Sequence, residues 1–262
     1  MKGPLVILFL LACCLGFGQA VTSWVREISP QGTPRVKWRS DGKFFVFSNE
    51  SIELRDPSGV RLWSIPTPES GTGRFVYDLD LNGIDQLVLT IGNRNGDAFS
   101  VVAIGDDGAI AWRTVASAPN YYVRGISCDQ TGATYLLVMD FRSEEDLNME
   151  MWKVGADGLF KFKKVVSDNL HGPNGVQAKN GRVLLQSAHA TSGFGTVYDS
   201  DGNIVWGRNL TGLSFESLTP NGSLVTVRSD NQNRISLDLY NPAGQLIKTS
   251  HVRVANPSGS TV

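Results

Sequence analysis

Cysteine and histidine are scarce in this chain of 262 residues, three of each, and each scarcity closes off some chemistry. Cys13 and Cys14 fall in an apolar leader, which leaves Cys128 alone in the mature chain. A lone cysteine closes no internal disulfide, so the fold must rest on its core. Cys128 lies in Gly125-Ile-Ser-Cys-Asp129 at a predicted strand end and reads as a small buried side chain. The histidines, His171, His189 and His251, form no HExxH pattern, and the mature chain has no GxSxG, no phosphate-binding loop and no CxxC pair. No stretch shows sustained helical periodicity, which excludes a helical bundle. No apolar run after the leader reaches the roughly 18 residues that a membrane-crossing helix needs. The formal charge is −1 with both signs spread along the chain, so neither a nucleic-acid track nor a polybasic membrane patch is expected.

The chain opens with a candidate secretory signal at residues 1 to 20. Lys2 is followed by an apolar run from Leu5 to Phe17, and Gly18-Gln-Ala20 offers the small residues at which a signal peptidase cuts. A secreted mature protein beginning near Val21 is expected. The rival reading takes Leu10-Leu-Ala-Cys13 as a lipobox that would anchor the protein through Cys13, although the apolar core before it would be very short. Three glycosylation sequons, at Asn49, Asn209 and Asn221, fall at predicted turns or blade boundaries.

What the chain does have is a repeat. Five times an apolar stretch runs into a turn, and four residues beyond the turn's glycine stands a Trp, Phe or Lys. The copies are Asp56-Pro-Ser-Gly59 with Trp63, Gly105-Asp-Asp-Gly108 with Trp112, Gly155-Ala-Asp-Gly158 with Phe162, Asp199-Ser-Asp-Gly202 with Trp206, and Asn241-Pro-Ala-Gly244 with Lys248. Their glycines lie 49, 50, 44 and 42 residues apart. Each copy reads as strand, turn, strand, because glycine accepts positive φ and Asp or Asn folds back on its own backbone. An upstream hairpin, such as that around Asp41-Gly42 or Asn221-Gly222, completes four antiparallel strands per repeat.

A period of about 40 to 50 residues with that content predicts an all-β fold, a single β-propeller of five blades over residues 21–250 with a tail at 251–262. The blades are placed at 34–66, 74–116, 122–167, 174–210 and 214–250. Six blades is the alternative, if Trp24 belongs to a separate partial blade; otherwise Val21 to Ile28, which resembles Asn203 to Leu210, adds an outer strand that closes the ring. The aromatics of the repeat are expected to wedge between neighbouring blades.

The DxxGxxxW pattern resembles the blade motif of quinoprotein-type and arylsulfotransferase-type propellers. That resemblance implies the fold and leaves the function open. A second one is sharper. Asp78-Leu-Asp80-Leu-Asn82-Gly83-Ile-Asp85-Gln86 is similar to the calcium-binding loop of FG-GAP repeats, in which alternate oxygen side chains wrap a hard cation and a glycine permits the sharp turn. It implies calcium held by Asp78, Asp80 and Asn82, with Asp85 standing in for the ninth-position carboxylate that Gln86 replaces. The competing reading is a metal-free Asx-rich turn that braces the second blade.

Two function classes remain. The first is a secreted binding module for carbohydrate or an extracellular protein; Tyr121, Tyr122 and Arg124 suit stacking on sugar rings or packing on a partner. The second is an extracellular enzyme, a polysaccharide lyase or hydrolase or a sulfotransferase-like protein, with His171 as catalytic residue at the mouth of the central channel. The arylsulfotransferase resemblance would draw Arg35 and Arg124 to that histidine. Missing motifs favour binding.

Overall fold

The computed structural model describes residues 35–48, 50–69, 73–93, 98–117, 120–140, 148–167, 173, 175–188, 192–211, 214–229 and 234–253. The chain divides into two compact units, Met1–Pro68 and Glu69–Val262. In the first, Arg35–Trp38 (β1), Phe44–Phe47 (β2), Ser51–Arg55 (β3) and Arg61–Pro66 (β4) form one antiparallel sheet. The second unit holds four more sheets. Phe75–Leu81 (β5), Leu87–Gly92 (β6), Ala98–Ile104 (β7) and Ile110–Ser117 (β8) make the second blade. Tyr121–Cys128 (β9), Thr134–Asp140 (β10), Asn148–Val154 (β11) and Phe160–Ser167 (β12) make the third. Gly175–Lys179 (β13), Arg182–Ala188 (β14), Ser192–Asp199 (β15) and Ile204–Thr211 (β16) make the fourth, and Ser214–Leu218 (β17), Leu224–Ser229 (β18), Arg234–Tyr240 (β19) and Leu246–Arg253 (β20) the fifth.

The fold is all-β, with the five four-stranded blades of a β-propeller, and among the described residues there is no helix. The strands begin and end close to the predicted blade limits, except that β20 continues three residues past 250 to Arg253. Val21 to Ile28 lies outside the described residues.

The middle strands are apolar almost throughout because both of their faces are covered. In β10, Leu136 and Val138 join the core shared with the second blade, while Tyr135, Leu137 and Met139 join the core shared with the fourth. Strand alternation alone thus divides one run of residues between two seams.

The repeat turns share one design. Gly59, Gly108, Gly158, Gly202 and Gly244 all have φ between +77° and +83°, a conformation that glycine enters without steric cost. Each donates its N–H to the carbonyl three residues back, as Gly202 does to Asp199 at 3.1 Å. Where Asp or Asn opens the turn it also accepts from the residue after the glycine; Asp199 Oδ1 takes the Asn203 N–H at 2.8 Å. Where glycine opens the turn, the third residue does so, Asp107 for Ala109 and Asp157 for Leu159.

Beyond every one of these glycines the ladder skips a residue. Leu54 pairs with Trp63 but Arg55 with Arg61, and the same shift recurs before Trp112, Phe162, Trp206 and Lys248. A bulge reverses the face on which the following side chains lie. In the second unit the reversed aromatic lands on the turn glycine of the next blade. A Cβ on Gly158 would lie 3.0 Å from the Trp112 ring, one on Gly202 3.1 Å from Phe162, and one on Gly244 2.6 Å from Trp206. Two residues further on, Thr114 Oγ1 donates to the Gly158 carbonyl, and Lys164 Nζ to that of Gly202 at 2.6 Å. The glycine and the aromatic of the repeat are therefore two halves of one interblade joint. Trp112, Phe162 and Trp206 wedge between blades as expected, and Trp63 meets Phe45 of its own sheet edge-on.

Candidate functional site

The third blade carries an open cleft of about 420 Å3 lined by Ala116 of β8, Tyr121 of β9, Trp152 of β11, and Phe160, Lys161 and Lys163 of β12. Register builds it. Trp152 stands directly opposite Lys163 across the β11–β12 ladder, and Glu150, two residues before Trp152, shares its face. Trp152 is the hub, with Tyr121 edge-on at 5.1 Å, Phe160 edge-on at 5.3 Å and Phe99 tilted at 5.3 Å. Its indole N–H donates to Glu150 Oε2 at 2.7 Å, which satisfies a carboxylate that is only 3% exposed. The Lys163 ammonium stands 5.4 Å from both the Tyr121 and Trp152 ring centres, donates to the Tyr121 hydroxyl at 3.0 Å, and lies 3.9 Å from Glu150 Oε2. It is fixed in place while its side chain remains 54% exposed. Lys161 is held at its own turn by Asp157, at 2.6 Å.

The recognition residues read from sequence go to three places. Tyr121 is buried in the wall of this cleft. Tyr122, the next residue, points to the opposite face of β9 and meets Tyr77 edge-on at 4.8 Å. Arg124 occupies the register shift of β9 against β10, is exposed, and donates to Met139 Sδ at 3.6 Å. Adjacent tyrosines in a strand cannot share one platform, because the side-chain period is two. Trp152, Phe160 and Lys163 were not singled out from the sequence; their only signal was the alternation of Glu150 with Trp152, which means something once β12 is in register.

The Asp78–Asp85 segment is also placed. Asp78 and Asp80 lie on β5, the edge strand of the second blade, and both turn toward β9, the edge strand of the third. Asp78 Oδ2 accepts the Ile126 N–H at 3.2 Å; Asp80 Oδ2 accepts the Cys128 N–H at 2.9 Å and the Ser127 hydroxyl at 3.4 Å. Asn82 Oδ1 turns the other way, to the N–H groups of Ile84 and Gln86, and its Nδ2 donates to Gln86 Oε1 at 2.9 Å. Asp85 sits in the turn with φ +59°. The Asp78, Asp80 and Asn82 oxygens each accept from N–H donors, and among the described residues no group of three or more His, Cys, Asp or Glu is arranged to hold a metal ion. Asp78 and Asp80 thus turn to the neighbouring blade and Asn82 to its own turn.

His171 and His189 lie outside the described residues, as does Asn49. His251 is exposed on β20, with Nδ1 3.0 Å from Ser236 Oγ. Asn221 sits exposed in the β17–β18 turn, where its Oδ1 accepts the Ser223 N–H at 3.2 Å. Asn209 lies near the end of β16, the last strand of the fourth blade, paired with Phe194. Cys128 is buried, with its Sγ 3.4 Å from Thr134 Oγ1.

No protein-family profile matches the chain, and no curated protein matches it. Solved structures do. A prolyl endopeptidase matches with a TM-score of 0.56 at 12% identity over 86% of this chain and 35% of its own, so the chain spans about a third of that protein. BBS1N, crystallised in complex with ARL6DN, matches with a TM-score of 0.51 at 9% identity over 87% of this chain and 70% of its own. A protein of unknown function from Bacteroides caccae matches with a TM-score of 0.49 at 13% identity over 80% of this chain and 73% of its own. At such identities the likeness to the first two establishes the β-propeller fold and nothing narrower.

Proposed function

We propose that this chain is a secreted β-propeller binding module whose third-blade cleft takes a carbohydrate. The single observation that carries the reading is the Lys163 ammonium fixed beside the Tyr121 and Trp152 rings in an open cleft of about 420 Å3. A sugar ring offers an apolar C–H face to the exposed Phe160 ring and hydroxyls to the Lys163 ammonium at the rim, above a floor of the buried Tyr121 and Trp152. The volume lies in the range of small-ligand sites, roughly 300–1,000 Å3. Binding suits the cleft better than catalysis, since its carboxylate, Glu150, is buried and already held by Trp152. Export would use residues 1 to 20, with cleavage before Val21, and the sequons at Asn49, Asn209 and Asn221 would then be glycosylation sites; intact mass of the protein from the culture medium tests all of these, and a lipid on Cys13 would appear as an added acyl mass.

The test of the site is retention of the purified mature protein on an immobilised glycan panel, with released products scored together. Wild type is expected to be retained without product, and Phe160→Ala and Lys163→Ala, both at half-exposed positions, to weaken retention about tenfold. Retention that survives both variants removes the cleft from the reading. Product formation abolished by His171→Ala would replace it with the enzyme, and capture of an extracellular protein with no glycan bound would replace carbohydrate by protein.

A further inference from the structure

We infer that Asp78 and Asp80 form a metal-free latch between the second and third blades, in a segment whose sequence resembles a cation loop. The geometry is a matter of edges. β9 pairs with β10 on one side only, so alternate N–H groups along its other edge have no ladder partner. Ile126 and Cys128 are two such groups, and Asp78 and Asp80, spaced two apart on β5, meet them with one carboxylate oxygen each. Equal rise per residue in the two strands lets an i, i+2 pair of carboxylates match an i, i+2 pair of amides.

The same position is occupied by different chemistry at the following seams. Ser127 Oγ accepts the Ala178 N–H at 3.0 Å between the third and fourth blades, and Gln177 Oε1 accepts the Leu218 N–H at 3.2 Å between the fourth and fifth. What Asp80, Ser127 and Gln177 have in common is an oxygen that caps the next blade's edge strand. None of that requires a cation. Beyond Asp80 the seam closes backbone to backbone: Gly83 donates to the Asp129 carbonyl at 3.0 Å, and a Cβ at Gly83 would stand 1.9 Å from the Gln130 carbonyl oxygen. Gln86, which replaces the carboxylate of a calcium loop, pairs with the Asn82 amide instead. The glycine at the sixth place is thus required by the neighbouring blade, and the oxygen at the fifth by its own turn.

Two measurements test the latch on the full mature chain. Chelator-treated wild type is titrated with calcium chloride to millimolar concentration while melting is followed, and amide hydrogen exchange is read at Ile126 and Cys128 in wild type, Asp80→Ala and Asp80→Asn. The latch predicts no calcium-dependent melting shift, a rise of at least tenfold in Cys128 exchange in Asp80→Ala, and exchange within a few-fold of wild type in Asp80→Asn, whose carboxamide keeps an acceptor. A calcium-dependent melting shift that Asp80→Asn abolishes would overturn it, as would wild-type protection of Cys128 in Asp80→Ala. If Asp80→Ala does not fold, the titration and Asp80→Asn decide: strong deprotection of Cys128 in the carboxamide variant, or a calcium response in wild type, refutes the latch.

Discussion

The seam between the second and third blades and the seam between the fourth and fifth perform one task with different materials. The first joins its edge strands by two carboxylates and a backbone hydrogen bond, over a core that includes Phe99, Leu136, Val138 and Trp152. The second joins them by neutral amides. Gln177 accepts from Leu218 and donates to the Glu216 carbonyl at 3.0 Å, which also receives the Gln186 amide at 2.8 Å, over Leu184, Val197, Leu218, Leu224 and Tyr240. The lesson is that a propeller seam needs an oxygen opposite each open amide and is tolerant of what carries it. A hydrogen bond to a charged acceptor is stronger than one to a neutral acceptor, so the first seam should be the harder to part.

The harshest way to break the comparison is steric. Gly83→Ala drives a methyl into the Gln130 carbonyl, and a loss of more than about 4 kcal/mol in urea unfolding is expected. Gly181→Ala, where a Cβ would have 4.0 Å of room and only the φ of +69° is strained, should cost about 1–2 kcal/mol. Equal costs would mean the first seam is not tight.

Next in size is the pair of edge-capping side chains. Asp80→Ala leaves the Cys128 amide without its acceptor and should cost about 1–3 kcal/mol; Gln177→Ala, which removes neutral bonds, should cost about 1 kcal/mol. Chemical denaturation of both variants checks the order, and a larger cost at Gln177 would reverse the ranking of the seams.

Alkali probes the first seam through Tyr77. Burial, then the neighbouring Tyr122, pushes the Tyr77 phenol up to about 12. A raised folded value means that the folded state holds its proton longer than the unfolded one, so this contribution is complete below about pH 10 and is lost as pH rises through 12. The ultraviolet phenolate signal of Tyr77 should therefore emerge above that of exposed tyrosines, and Tyr77→Phe should flatten the alkaline fall in melting temperature.

The smallest effect lies in the turns that all blades share. The Asn203 N–H holds the Asp199 carboxyl below its ordinary value, and Ser58 does the same for Asp56 and Lys161 for Asp157. Depressed carboxylates stabilise the fold above about pH 4 and cease to as pH falls through their lower folded values. Acid melting curves of Asp199→Asn should be shallower than those of wild type below pH 4, by a small margin because the group is solvated.

Much of the architecture was legible because its signals are local. Gly59, Gly108, Gly158, Gly202 and Gly244 announce turns by a backbone need, and the apolar runs before them announce strands, so blade number and limits follow from the chain alone. The bulge ahead of Trp112 or Phe162 was not legible, since no residue type marks it; it appears as a skipped partner in the ladder. The site was less legible still. Tyr121 and Tyr122 look like one platform in sequence, yet strand alternation sends one to Trp152 and the other to Tyr77.

By itself, then, the sequence determined the all-β repeat, its turns and the oxygen-rich composition of the Asp78–Asp85 segment, for all of these depend on residues near each other in the chain. Only the tertiary structure decided what those oxygens do. Asp80 and Cys128, or Lys163 and Tyr121, are 48 and 42 residues apart and meet only when register and blade packing bring their strands together, and a carboxylate takes whichever donor the neighbouring strand presents.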